Sequence, residues 1–152
     1  MEIRLAKTAG FCFGVERAVA LAEQTARTCK NAVTLGPIIH NRHVVERFER
    51  LGLHEISSAE EAEPGQTVVI RAHGIPVSEQ RMLSARGAAA VDATCPFVKK
   101  IHVIAQKAER DGRSLLIIGT PTHPEVAAIA SYSSDAHVFQ TAEALQAWLT
   151  ER

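Results

Sequence analysis

Thr67-Val68-Val69-Ile70-Arg71-Ala72-His73-Gly74-Ile75-Pro76 sets out a strand, a tight turn and a helix start in one short run. The apolar, β-branched residues predict a buried strand over Thr67–Arg71. Gly74 permits a sharp turn, and Pro76 suits a first helical turn, so a helix is expected from about Pro76 to its stop at Gly87. Between strand and helix stands a histidine.

The same order recurs on both sides. Strands are predicted at Ile3–Lys7, Ala32–Leu35, Ala88–Val91 and Ser114–Ile118. Helices are predicted from about Val15 to Thr28, Arg42 to Leu51, Phe97 to Arg110 and Ala142 to Leu149. The first of these places Val15, Ala18, Val19, Ala22 and Ala26 on one face. Ser57–Gly65 reads as a short exposed helix and turn. Alternation of this kind predicts an α/β fold of parallel sheet units with helices on both faces. Residues 1–94 are expected to form a first α/β unit, and 95–152 the start of a second that is incomplete.

Chemistry-bearing residues fall at the predicted strand ends. Cys12 follows the first, His40 the second, His73 the third and Cys95 the fourth; the fifth leads to His123-Pro124-Glu125. The carboxyl ends of parallel strands share one edge, and ligands bind in the crevice outside it. Residues remote in sequence should therefore converge. Glycine and proline turns let backbone amides approach a ligand, and helix N-termini favour anions. Three histidines at such an edge point to a polyanion, a diphosphate being the economical choice.

Taken singly, a cysteine after a strand is more often a buried hydrophobe, and a turn histidine more often a surface residue. The argument rests on their coincidence. His43, His54, His102 and His137 lack the position, and His43 and His102 fall inside predicted helices as structural or exposed residues. Cys29 has no partner pattern and stays outside the site. Cys12 and Cys95 with one histidine fit tetrahedral zinc; the same thiols fit an iron–sulfur cluster. A nucleophilic cysteine fits two equivalent thiols poorly. Spacing alone does not choose between zinc and the cluster.

At these residues the chain resembles the LytB/IspH family of hydroxymethylbutenyl diphosphate reductases. The matching segments are Ala9–Val15, Gly36–Asn41, Arg71–Gly74, Asp92–Pro96 and Thr122–Val126, in the family's order over nearly the whole chain. The resemblance implies that Cys12 and Cys95 are two of three ligands to a four-iron four-sulfur cluster. It implies that His40, His73 and His123 line a diphosphate pocket and that Glu125 delivers a proton. The implied substrate is a small allylic diphosphate, reduced with electrons from an external donor protein to isopentenyl and dimethylallyl diphosphate. The family is about twice this length, so the resemblance covers its N-terminal part, without the third cysteine. A C-terminal half or a homo-oligomer is the expected source of that ligand. The alternative function is a diphosphate- or zinc-binding module without reductase activity.

Composition narrows the partners. Lysine plus arginine equal aspartate plus glutamate at 17 each, so no overall field favours nucleic acid or an anionic membrane. No apolar run approaches the roughly 20 residues of a membrane span. Glu16 and Arg17 interrupt the apolar N-terminal stretch, which argues against a signal peptide. Three cysteines at long spacings suit a reducing compartment, and a cytoplasmic location is expected.

Overall fold

The computed structural model describes residues 2–151. In chain order these form α1 (Phe13–Thr28), β1 (Ala32–Leu35), α2 (Arg42–Arg50), β2 (His54–Ile56), β3 (Thr67–Ile70) and α3 (Val77–Ala85). There follow β4 (Ala89–Asp92), α4 (Pro96–Arg110), β5 (Leu115–Ile118), α5 (Pro124–Ala130), β6 (Ala136–Phe139) and α6 (Ala142–Thr150). The first four strands make one parallel sheet in the order β2-β1-β3-β4, with Leu35 opposite Ile70 and Ile70 opposite Asp92. β5 and β6 pair in parallel as a second sheet.

Period-two alternation sends successive strand residues to opposite faces of the larger sheet. Val33, Leu35, Val68 and Ile70 meet Leu83 of α3 and the alanines Ala59 and Ala62. Ala32 and Val69 meet Ala18 and Ala22 of α1 and Val44 and Phe48 of α2. Helices therefore cover both faces, as the sequence pattern requires. Ala18 and Ala22 are fully buried, and their small side chains let α1 lie close to the sheet.

The predicted strand Ile3–Lys7 is not formed. Ile3 and Leu5 alternate as strand residues do, yet they stand 81% and 87% exposed. A strand is stable only against a ladder partner, and among the described residues this segment has none. Cys12 is consequently carried by the start of α1, not by a strand end. Three elements were not anticipated: β2, α5 and β6. The stretch Ser57–Gly65 does hold one 3-10 turn at Ala59–Glu61, capped by the Ser58 hydroxyl. It is not simply exposed, because Ala59 and Ala62 enter the core.

Polar contacts bind the second sheet to the first. The Val77 amide donates to Ser131 Oγ at 3.0 Å, and Gln80 Nε2 donates to the Tyr132 hydroxyl at 2.5 Å. The Glu109 carboxylate on α4 accepts from the Ser134 amide at 2.7 Å. Among the described residues no helix is long and apolar enough to cross a membrane.

Ile38 is 1% exposed under the turn that carries His40. Ile38→Ala should cost roughly 2–5 kcal/mol, the range for a truncated core side chain, measured by urea unfolding. A loss below about 1 kcal/mol would contradict the packing described.

Candidate functional site: a histidine cluster beside two helix-capping cysteines

The turns leaving β1 and β3 begin and end at glycines. Gly36 (φ +68°) starts the segment to His40, and Gly74 (φ +76°) closes the one bearing His73. Both lie in the left-handed region, which only glycine enters without cost. Beyond the strands, backbone hydrogen bonds go on stitching the turns together. The Ala72 amide donates to Ile38 O at 3.2 Å, and the Cys95 amide donates to Ala72 O at 2.9 Å. The carriers of His40, His73 and Cys95 are thus held side by side.

The imidazoles of His40 and His73 lie 5.0 Å apart between centroids, and those of His73 and His123 lie 6.2 Å apart. His123 comes from the second sheet, so the cluster spans both. His123 also caps α5, its Nδ1 accepting from the Glu125 amide at 3.3 Å. That bond assigns the ring proton to Nε2. Glu125 therefore stands in the first turn of α5, half-buried, two residues from a clustered histidine.

Cys12 and Cys95 occupy equivalent places, the N-caps of α1 and α4. Neither side chain makes a capping hydrogen bond, and both thiols are free. Gly14, two residues from Cys12, brings the two helix starts together: a Cβ there would stand 2.5 Å from Cys95 Sγ. Arg17 fixes the approach from the same helix, its Nη1 donating to Thr94 O at 3.2 Å. Cys29 lies at the far end of α1, as its C-cap.

Burial lowers the pKa of His73 below the ordinary 6.5, with neighbouring His40, Arg71 and His123 acting in the same direction. Its Nδ1 is buried and lacks a hydrogen-bond partner. A buried polar atom left unsatisfied costs about 1–3 kcal/mol, which a ligand acceptor or donor would recover. Among the described residues, no three His, Cys, Asp or Glu side chains form a group able to hold a metal ion. Nearby positive charge and imidazole N–H groups suit an anion instead.

His102 proves to be structural and buried, at 7% exposure. Its ring stacks on Tyr132 with centroids 4.5 Å apart and packs under Gly74, where a Cβ would meet its Cε1 at 2.7 Å. His43 is exposed; His54 pairs with Glu49 and His137 with Asp135, all away from the cluster. Sequence reasoning passed over Gly14, Arg17 and Arg71. A glycine in a first helical turn, in a helix otherwise of good formers, was the available signal for Gly14.

Three comparisons bear on this site. The family model described as LytB protein matches residues 3–152. A 4-hydroxy-3-methylbut-2-enyl diphosphate reductase from a Nitratiruptor species is 41% identical over 147 residues, which cover 96% of this chain and 52% of the relative. A solved structure of (E)-4-hydroxy-3-methyl-but-2-enyl diphosphate reductase, described as the terminal enzyme of the non-mevalonate pathway, superposes with TM-score 0.78 at 40% identity. It is covered to 54%, and this chain to 95%. The reductase structure from Plasmodium falciparum gives TM-score 0.85 at 26% identity, over 92% of this chain and 45% of its own. The chain spans about half the length of the curated relatives it matches.

Two histidines tie stability to pH. His73 and His102 both titrate below their ordinary value, chiefly because burial disfavours the imidazolium. The folded state then binds fewer protons than the unfolded state, so stability rises with pH up to about 6.5 and falls as pH drops below it. Thermal midpoints measured from pH 8 to pH 5 should show this fall. His102→Phe, which keeps a stacked ring without a titrating group, should flatten it; an unchanged slope would remove His102 from the account.

Proposed function

The chain belongs to the LytB protein family, and we propose that it forms part of an iron–sulfur reductase acting on 4-hydroxy-3-methylbut-2-enyl diphosphate. The observation that carries this is the clustering of His40, His73 and His123 around a buried, unpartnered ring nitrogen. The relatives named above are reductases of that substrate.

His40, His73 and His123 bind the diphosphate, their ring N–H groups donating to its oxygens. Glu125 lies next to that pocket and gives a proton to the departing allylic hydroxyl. The carbon–oxygen bond breaks as two electrons and two protons enter; water leaves, and isopentenyl and dimethylallyl diphosphate form. Cys12 and Cys95 would be two of the ligands of a four-iron four-sulfur cluster. Two free thiols at the N-caps of helices fit that donor chemistry. A cluster held there would supply the two electrons, received from an external donor protein. Cys29 is too remote along α1 to be the third ligand, so another chain or segment supplies it: a C-terminal half or a second copy.

On the same reading residues 1–94 are one α/β unit and 95–152 the beginning of another, and the protein is cytoplasmic. A zinc-binding module is the alternative, and metal content distinguishes it from the cluster. A diphosphate-binding module without turnover is the outcome expected of these residues acting alone.

Metal content tests the cysteine assignment. Anaerobic preparations of the chain joined to the remaining half of a relative should hold iron and sulfide. Cys12→Ser, Cys95→Ser and Gly14→Ala should each lower that content, the last because its methyl displaces Cys95 Sγ. Cys29→Ser should leave it unchanged. Stoichiometric zinc without iron would overturn the cluster.

Pyrophosphate binding tests the pocket. Each of His40→Ala, His73→Ala and His123→Ala should weaken it by roughly 1–3 kcal/mol. Because His73 is held below its ordinary value, the charge-dependent part of affinity should grow as pH falls below about 6.5. Equal affinity in the triple variant would place the anion elsewhere. Reductase turnover should appear only with the complementing half and be lost in Glu125→Gln; full turnover by residues 1–152 alone would refute the need for a partner.

A further inference from the structure

Arg71 stands in the sequence segment that carries His73, yet the proposed chemistry gives it no part. Its side chain is half-buried, and among the described residues no carboxylate pairs with it. Its Nε donates a hydrogen bond to Gly74 O at 3.3 Å. Its Nη1 lies against Gly36, so close that a Cβ at that position would stand 2.5 Å away. One guanidinium therefore touches the glycine that opens the His40 turn and the glycine that closes the His73 turn. It acts electrostatically on the His73 ring as well.

A half-buried arginine without a counter-ion is costly unless something compensates its charge. Its Nη groups make no hydrogen bond to the described residues, and they form the planar fork that recognises phosphate oxygens bidentately. We infer that Arg71 is the permanent positive charge of the diphosphate pocket, donating through its Nη groups to the anion while its Nε and Nη1 contacts set the spacing of the His40 and His73 turns. This rests on the diphosphate reading of the histidine cluster and adds to it a residue outside that cluster. It also accounts for the glycine at position 36: any side chain there would push the guanidinium away from the pocket.

The charge has a second consequence. Neighbouring positive charge makes it harder for His73 to accept a proton, so Arg71 helps keep that ring neutral near pH 7. The groups facing His73 are Arg71, His40 and His123. An arginine with only a structural role would alter the turn geometry but would have no reason to move this titration upward.

The test compares Arg71→Gln, Arg71→Lys and a control, Arg86→Gln, in the chain complemented with the remaining half, using inorganic pyrophosphate as the probe. Calorimetry at pH 7.5 should show Arg71→Gln weaker by about 10- to 100-fold, the equivalent of a charge-assisted hydrogen bond. Arg71→Lys, which keeps the charge but not the fork, should be weaker by several-fold, and the control unchanged. Proton NMR should show the His73 titration midpoint moving up in Arg71→Gln. Parent affinity in Arg71→Lys and Arg71→Gln, with binding still lost in His73→Ala, would overturn the role of Arg71 while leaving the pocket in place. No pyrophosphate binding by the parent would instead overturn the pocket itself. Should Arg71→Gln fail to fold, Arg71→Lys decides, and parent affinity there counts against the inference.

Discussion

Ala72 holds the site together through its backbone alone. Its amide reaches Ile38 and its carbonyl receives the amide of Cys95, so the parallel ladder of β1, β3 and β4 runs on past the ends of the strands. Turns normally diverge once pairing stops. Here the β4 turn keeps its pairing with the β3 turn through the Ala93 and Cys95 amides, and the β1 turn, though out of the strand register, returns to it through the Ala72–Ile38 bond, so His40, His73 and Cys95 are carried side by side. The rings of His40 and His73, carried by these two turns, stand 5.0 Å apart. The binding geometry is thus fixed by backbone hydrogen bonds that do not depend on the bound group.

The glycines extend the same logic to places the ladder does not reach. Gly14 removes the one Cβ that would separate the start of α1 from Cys95, and Gly74 removes the one that would collide with His102. Arg17 reaches from α1 to the carbonyls of Asp92 and Thr94, while the Asp92 carboxylate meets Lys99 at 2.6 Å. Asp92 also accepts from the Thr94 amide at 2.9 Å, and its carboxyl pKa is lowered by the Lys99 and Thr94 bonds against the opposing effect of burial. The segment before Cys95 is therefore gripped from both helices.

Much of this was legible in the sequence because it is local. A β-branched run, a glycine and a proline define strand, turn and helix from neighbouring residues, and the site histidines were found by their place in that pattern. What was missed depends on distant partners. Ile3 and Leu5 carry a strand's alternation but find nothing to pair with among the described residues; β2 has only three residues, too few for periodicity to register. α5 was hidden by its length, although Pro124 at its first position and Glu125 in its first turn are helix-start signals. His102 was grouped with structural or exposed histidines, and only the fold shows that it supports Gly74 from below. The neighbouring cavity of about 390 Å³, lined by Gln80, Asp92, Lys99, His102 and Tyr132, likewise arises from elements remote in sequence.

Electrostatics separates two ways of holding an anion. A pocket of fully charged histidines would bind a diphosphate strongly below about pH 6.5 and lose its grip above it. In this chain burial and mutual repulsion oppose protonation of His73, so near neutral pH that ring acts through its N–H dipole and not through charge. The Nδ1 of His123 accepts from the Glu125 amide at the start of α5, which leaves Nε2 as the ring's donor. Charge complementarity must then come from a group that does not titrate, and the half-buried guanidinium of Arg71 is placed to supply it. Neutral donors with one fixed cation bind an anion with little dependence on pH until the imidazoles begin to take up protons. Burial keeps His73 neutral by the same desolvation that makes its Nδ1 costly to leave unpaired.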